Sequence, residues 1–471
     1  MKILQDGEED MTDIDNDNSD TDEDGTGPSF LIIHLKNTAD IPYLEHSVAA
    51  QLSWPGQSLL TLLKGPGRNP REGVEVVLSR AAYKKLLMLQ GGTDAAVISM
   101  LKRVPGVENA RIVPGAFIRN AMVNGSNAAR QPAGPGPGQW YLDTIRARPA
   151  WSLLGASPDT LPWGDIKVGH IDTGITEHPV FFNAAGSSWV RWDRGINFKE
   201  PGRLPVDPLS YDGYPGHGTR TSSVLAGRAA AEPFYGVAPG VTVIPYRITN
   251  TVVIDFLNND TQIARALKHA VFDAGCHVLS ISLGDPCLPA EGAGAMIDAA
   301  YDSGVIVVAA AGNVTSEVTY PGRFSRVITA GGSTRMNTPW QGGSRGLKVD
   351  LSAPADEIHR ADAILDKDKG TTAYVYGGGG DGTSYATAMI AGAAALWRAF
   401  HVGALATLYP QGWQIVEAFR QCARRSATVP QGWPTTEYGA GILNVEALLR
   451  HPLPPPASLV YQSRLAANER F

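Results

Sequence analysis

From Trp140 onward, short and almost wholly apolar stretches alternate with segments of helical period, and this alternation constrains the fold more than any other feature. DIKVGHIDTG, TVIPYRIT, CHVLSISLG, VIVVAAAGN and VITAGGS read as strands, while HGTRTSSVLAG, TQIARALKHAVFDAG and AMIDAAYDSG read as helices. Strands that are apolar on both faces belong to a parallel sheet covered by helices on each side. The expected class is therefore α/β. Sheets of this kind place their chemistry at the carboxyl ends of strands.

Upstream, the composition divides the chain further. Residues 1–28 carry eleven Asp and Glu against one Lys and read as a solvated acidic tail. Asp20, Asp22, Asp24 and Gly25 match the start of a calcium-binding loop, but Leu31 stands where its bidentate glutamate is needed. Residues 29–120 look like a small α+β unit. FLIIHLK and GVEVVLS are its strands, AAVISMLKRV a helix, and VENARIV a further strand after the Pro105–Gly106 turn. Residues 121–139, rich in Gly, Pro, Asn and Ser, cannot build a core and read as a linker. Residues 140–450 form the second folded unit, and the Pro-rich 451–471 a surface tail.

Removing the acidic tail from the totals of 40 Lys and Arg and 46 Asp and Glu leaves 39 against 35, a mildly basic remainder. No basic stripe with interleaved aromatics accompanies it, so no nucleic-acid partner is expected. No apolar run approaches the ~18 residues of a bilayer span, so no membrane partner is expected either. MKILQDGEED lacks the apolar core of a secretion signal. The chain has three cysteines, too few and too odd a number for a disulfide framework. The expected location is cytoplasmic, with Cys276, Cys287 and Cys422 as free thiols.

The stretch GGGGDGTSYATAMIAG, Gly377 to Gly392, supports two readings. Gly377, Gly379 and Gly382 satisfy G-x-G-x-x-G between a strand and a helix, as a dinucleotide site would require. Against this, no lysine follows the glycines, and no Asp or Glu lies near Phe400–His401 to hold a ribose hydroxyl. The other reading makes Ser384 a nucleophile at a helix start, with the glycines letting the chain turn beneath it. Asp172, after the apolar strand of VGHIDTG, and His217, in PGHGTRTSSVLAG, supply the partners such a serine needs. Histidine is a base of near-neutral pKa, and a buried carboxylate fixes its tautomer and stabilises its cation.

IDTGITEHP, GHGTRTSSVLAG, SISLG, AAAGN, DLSAP, GTSYATAMIAG and YGAGILNVEAL occur in an order that resembles the subtilisin-like serine proteases, the subtilases, from about Trp140 to Leu449. The resemblance implies a three-layer sandwich with a mainly parallel sheet, preceded by a propeptide-like α+β domain. It implies a serine endopeptidase acting on protein or peptide substrates, with Asp172, His217 and Ser384 as the triad and Asn313 as an oxyanion-hole amide. A substrate main chain would pair near Ser282, Leu283 and Gly284. The pocket for the residue before the scissile bond would be walled by Leu283, Gly284, Ala310, Ala311 and Gly312. Val314 and Thr319 would shape its mouth and floor. With no charge in this set, neutral residues are favoured, and Thr319 would make the pocket shallow.

The resemblance further implies that the N-terminal domain acts as an intramolecular inhibitor, with the linker as a processing site. No cofactor is required for catalysis, and structural calcium, common in subtilases, has no ligand set that can be assigned. Several residues depart from the family pattern. Tyr385 stands in place of methionine, and Ala388 and Met389 in place of proline and histidine. His170 lies two residues before Asp172 on the same strand face. These departures leave open an alternative, a catalytically silent binding or regulatory protein on the same scaffold.

Overall fold

The structure is a computed structural model that describes residues 30–36, 41–52, 60–64, 74–78, 80–113, 138–155, 157–211, 213–229, 233–252, 256–285, 291–313 and 317–464. The acidic tail, Val314, Cys287 and the linker up to residue 137 lie outside the described residues.

The N-terminal unit runs β1 (Phe30–Leu35), α1 (Ile41–Leu52), β2 (Leu60–Lys64), β3 (Val74–Leu78), α2 (Arg80–Leu89), α3 (Asp94–Leu101) and β4 (Val107–Val113). Its sheet has the order β2-β3-β1-β4 and every pairing is antiparallel. Leu31, Ile33 and Leu35 alternate along β1 and share one core with Leu44, Val48 and Leu52 of α1, spaced four residues apart on one helix face. The strands and the α3 helix match the pattern read from the sequence. The helices α1 and α2 and the strand β2 add to it.

The second unit continues with α4 (Trp140–Thr144), α5 (Ala147–Leu153), β5 (Lys167–Asp172), β6 (Ile196–Asn197), α6 (His217–Ala226), β7 (Arg228–Ala229), β8 (Phe234–Tyr235) and β9 (Thr242–Arg247). Then follow α7 (Phe256–Lys268), β10 (Val278–Ile281), α8 (Glu291–Asp302), β11 (Ile306–Ala310), β12 (Ile328–Ser333) and β13 (Leu351–Pro354). A hairpin, β14 (Ile358–Asp366) and β15 (Thr371–Gly380), leads into α9 (Thr383–Phe400), α10 (Val402–Leu408) and α11 (Gly412–Ser426).

The main sheet has the order β13-β12-β11-β10-β5-β9-β6, and all its pairings are parallel. Alternate strand residues feed two separate cores. Val168, Val243, Val278 and Val308 pack with α6 and α9, whereas Ile171, Ile244, Leu279 and Val307 pack with α7 and α8. This is the expected three-layer α/β/α sandwich. Helix α9 is buried continuously from Thr383 to Trp397, so its sequence is small and apolar all round rather than striped. Among the described residues no single helix is long and apolar enough to cross a membrane.

One expectation changes. The glycines before Ser384 do not form a turn: Gly377 to Gly380 extend β15, with Gly377 opposite Arg360 and Gly380 opposite Ile358. The turn is confined to Asp381–Gly382. Gly380 has a packing reason, since a β-carbon there would lie 2.8 Å from the Tyr385 ring.

The chain beyond Arg450 is tied back to the fold. Tyr409 donates to the Pro454 carbonyl at 2.7 Å, Arg464 pairs with Asp298, and the Arg326 guanidinium lies over the rings of Tyr301 and Tyr461.

Candidate active site

Three strand ends and two helix starts converge. Strand β5 ends in Asp172, fully buried; α6 begins with His217; α9 begins with Thr383 and Ser384. The His217 Nδ1 lies 2.7 Å from Asp172 Oδ1, and the same oxygen accepts the Thr173 amide at 2.7 Å. Burial alone would raise the Asp172 carboxyl, but the adjoining His217 ring, its hydrogen bond and His170 outweigh that and hold it below the ordinary carboxylate value. The carboxylate is thus ionised beside an imidazole whose other nitrogen is free to face a reacting group.

Ser384 is held by a reciprocal pair. Its Oγ donates to the Ser282 carbonyl at 3.3 Å, and Ser282 Oγ donates to the Ser384 carbonyl at 3.1 Å. Among the described residues no hydrogen bond joins Ser384 Oγ to His217 Nε2. Resting sites often tighten such contacts only when substrate binds. The Ser384 amide is one of the first in α9, which have no intrahelical acceptor and sit at the positive end of the helix dipole.

Asn313 is oriented by Thr383. Its Oδ1 accepts both the Thr383 amide at 2.9 Å and the Thr383 hydroxyl at 2.8 Å. With the oxygen committed, the amide nitrogen is the end left to donate, and it lies 3.2 Å from the place a β-carbon on Gly382 would take. Gly382, at φ +142, is therefore required both by its backbone and by the space this amide occupies.

Of the residues expected to line a specificity pocket, those described lie on two neighbouring segments, with Val314 outside the described residues. Ala310 ends β11; Ala311 and Gly312 continue it, and Thr319 donates its backbone N–H to Ala311 at 2.8 Å and its hydroxyl to the same carbonyl at 3.2 Å. Leu283 is buried, and the Gly284 amide is committed to the Val252 carbonyl at 3.1 Å. The Thr319 side chain stands between the two walls, 2.7 Å from where a β-carbon on Gly312 would be.

Tyr385, Ala388 and Met389, where the sequence departs from the family pattern, all pack in the core that α9 shares with the sheet. Two further residues were not apparent from the sequence. Asp207, 1% exposed, accepts from the Thr173 hydroxyl at 2.7 Å, the Gly216 amide at 2.8 Å, the Tyr211 hydroxyl at 2.9 Å and the Leu209 amide at 3.0 Å. It joins the loop after Asp172 to the start of α6. Thr221, one turn after His217, reaches Asp172 Oδ2 at 3.4 Å. Neither lies in a motif whose spacing announces a partner. Among the described residues no three His, Cys, Asp or Glu side chains cluster as metal ligands would, so no calcium site is assigned.

The subtilase family profile, Peptidase S8, matches residues 164–441, more than half the chain. Subtilisin BL of Lederbergia lenta is 29% identical over 312 residues, covering 66% of this chain and 98% of the relative. Mycosin-1 of Mycobacterium tuberculosis is 29% identical over 376 residues, covering 66% of this chain and 80% of its own. A crystal structure of MycP1 with its N-terminal propeptide removed covers 67% of this chain and 99% of its own at 22% identity, with a TM-score of 0.49. Given the profile match and the sandwich that carries it, this chain belongs to the subtilase family and is a subtilisin-like serine endopeptidase.

Proposed function

We propose that Asp172, His217 and Ser384 are the catalytic triad of this endopeptidase, and that it cleaves after small, neutral residues. The observation that carries the assignment is the 2.7 Å bond from His217 to a fully buried, ionised Asp172 at the carboxyl end of β5. On this reading the Ser384 hydroxyl leaves the Ser282 carbonyl, gives its proton to His217 Nε2 and attacks the scissile carbonyl. The imidazolium is stabilised by Asp172, which stays ionised. The developing oxyanion takes hydrogen bonds from the Asn313 amide and the Ser384 N–H. His217 then returns the proton to the leaving amine, and water repeats the sequence to release the acyl group.

The placement of Thr319 between Gly284 and Gly312 supports the small-residue preference. We further propose that residues 29–120 act as an intramolecular inhibitor removed by cleavage in the linker. The β-α-β-β-α-α-β order of that unit, with its own sheet and core, supports an independent module. Gln139, the last linker residue, bonds both ways with Tyr235, and Trp140 and Tyr141 donate to the carbonyls of Glu357 and His359, so the end of the linker and the chain just past it are anchored on the second unit. A cytoplasmic location accords with Cys276 and Cys422 being buried and unpaired.

Intact-mass analysis of the wild type and Ser384→Ala tests activity and processing together. Trimming within 121–139 in the wild type alone is expected. Equal masses refute self-processing, and failure of the wild type to react at Ser384 with a fluorophosphonate refutes the triad.

A further inference from the structure

The Asp172 carboxylate is fully buried, yet its two oxygens are served unequally. Among the described residues, Oδ1 has two partners at 2.7 Å, whereas Oδ2 has only the Thr221 hydroxyl, at 3.4 Å. A buried carboxylate oxygen without a donor is costly, so what directs that hydroxyl matters. Thr221 has one hydrogen and three oxygens in reach: Asp172 Oδ2, the His217 carbonyl at 3.1 Å and the Gly218 carbonyl at 3.3 Å. His170 Nε2 lies beside the same hydroxyl, 3.0 Å from Thr221 Oγ and 4.0 Å from Asp172 Oδ2.

The tautomer of His170 follows from its surroundings. Among the described residues its buried Nδ1 has no hydrogen-bond partner, and neither has the hydroxyl of Ser280, its register neighbour on β10. A bare ring nitrogen tolerates that better than an N–H does, so the proton belongs on Nε2, where Thr221 Oγ can accept it. A hydroxyl that is already accepting is polarised as a donor, and an ionised carboxylate is a stronger acceptor than a helix carbonyl.

We propose that His170, acting through Thr221, is a positioning residue for the triad carboxylate: His170 Nε2–H donates to Thr221, whose hydroxyl donates to Asp172 Oδ2. The inference rests on the triad reading above. One face of α6 then grips both carboxylate oxygens, His217 taking Oδ1 and Thr221, four residues on, taking Oδ2. The imidazole is set square to the serine because its carboxylate cannot swing. Burial lowers the His170 pKa to about 4, so the ring is neutral throughout the neutral range.

The test uses full-length protein carrying Thr221→Val, His170→Val, both together, or His170→Gln, each checked by circular dichroism and thermal melting. Steady-state kinetics on a peptide substrate and the downfield proton spectrum of the His217–Asp172 bond are read for each. Each Val variant is expected to lower kcat about tenfold with KM unchanged, the scale of a slightly misplaced catalytic group. The double variant should be no worse than the poorer single, and the downfield proton should move. His170→Gln, which keeps a donor near the Nε2 position, should recover most of the loss. Wild-type kcat in the folded Val variants, losses that multiply, or an unmoved proton would overturn the proposal. If His170→Val does not fold, Thr221→Val, nearly identical in shape, decides it. Asp172→Asn and Ser384→Ala serve as controls: full activity in those would sink the triad reading itself, independently of His170.

Discussion

Thr319 stands against Gly284: a β-carbon on that glycine would lie 3.1 Å from the threonine Cβ and closer still to its hydroxyl. The side chain thereby occupies the ground between the Leu283–Gly284 and Ala310–Gly312 walls. Thr319→Gly should open that space. The ratio of kcat/KM for a peptide with Phe before the scissile bond to one with Ala should rise at least about tenfold, the scale of a methylene or two in an apolar pocket. Library profiling checks this, and an unchanged ratio would remove Thr319 from the pocket.

Asn313 offers only its nitrogen, because Thr383 holds the oxygen. Asn313→Ala should lower kcat by roughly 10²–10³ with little change in KM, the loss typical of one oxyanion donor and a range set by a subtilisin amide in the same role. Thr383→Val should reproduce a fraction of that loss by freeing the amide to rotate. A kcat untouched in both would exclude the assignment.

Asp207 satisfies four donors in a site almost closed to solvent. Burial still pushes its carboxyl above the ordinary value, against those bonds. Asp207→Ala leaves all four donors unmade at about 1–3 kcal/mol for each that stays buried, so a loss on the order of 3 kcal/mol is expected after relaxation. Urea unfolding measures it.

Burial lowers the pKa of both His170 and His178 to about 4. Each takes up a proton on unfolding anywhere between that value and the ordinary histidine value of ~6.5. The unfolded state binds more protons there, so stability rises with pH across this window and is lost as pH falls through it. Replacing His170 by Gln should flatten the curve of unfolding free energy against pH between 6.5 and 4 by up to one proton. Identical slopes would show that His170 is already charged in the fold.

The placement of Asp172, His217, Ser384 and Asn313 at or just past strand ends and at helix starts was legible because each sits in a short stretch of small neighbours. The parallel sheet was legible for a similar reason: strands buried on both faces leave an unbroken apolar record. Asp207 and Thr221 were not legible. The contacts that tie them to the Asp172 region reach 34 and 49 residues back, and an aspartate in a loop or a threonine in a helix leaves no local trace of such a contact. The glycines of β15 misled because the missing side chain that lets glycine turn also lets Gly380 admit the ring of Tyr385, five residues on. Helix α1 was overlooked although Leu44, Val48 and Leu52 carry its period, since Pro42 and a run of small residues obscured it.

The place of β5 in the sheet also has a kinetic side. It is the earliest strand of its sheet in the chain, yet it lies between β9 and β10, pairing Val168 with Val243, 75 residues on, and with Val278, 110 residues on. Loops of that size must close before any pairing compensates for them, so such a sheet crosses its folding barrier slowly. When cleavage outpaces reclosing, survival depends on how rarely a molecule opens. For an enzyme whose own unfolded copies are substrates, longevity is then governed by the unfolding rate, and substitutions around β5 should be ranked by lifetime rather than by melting temperature.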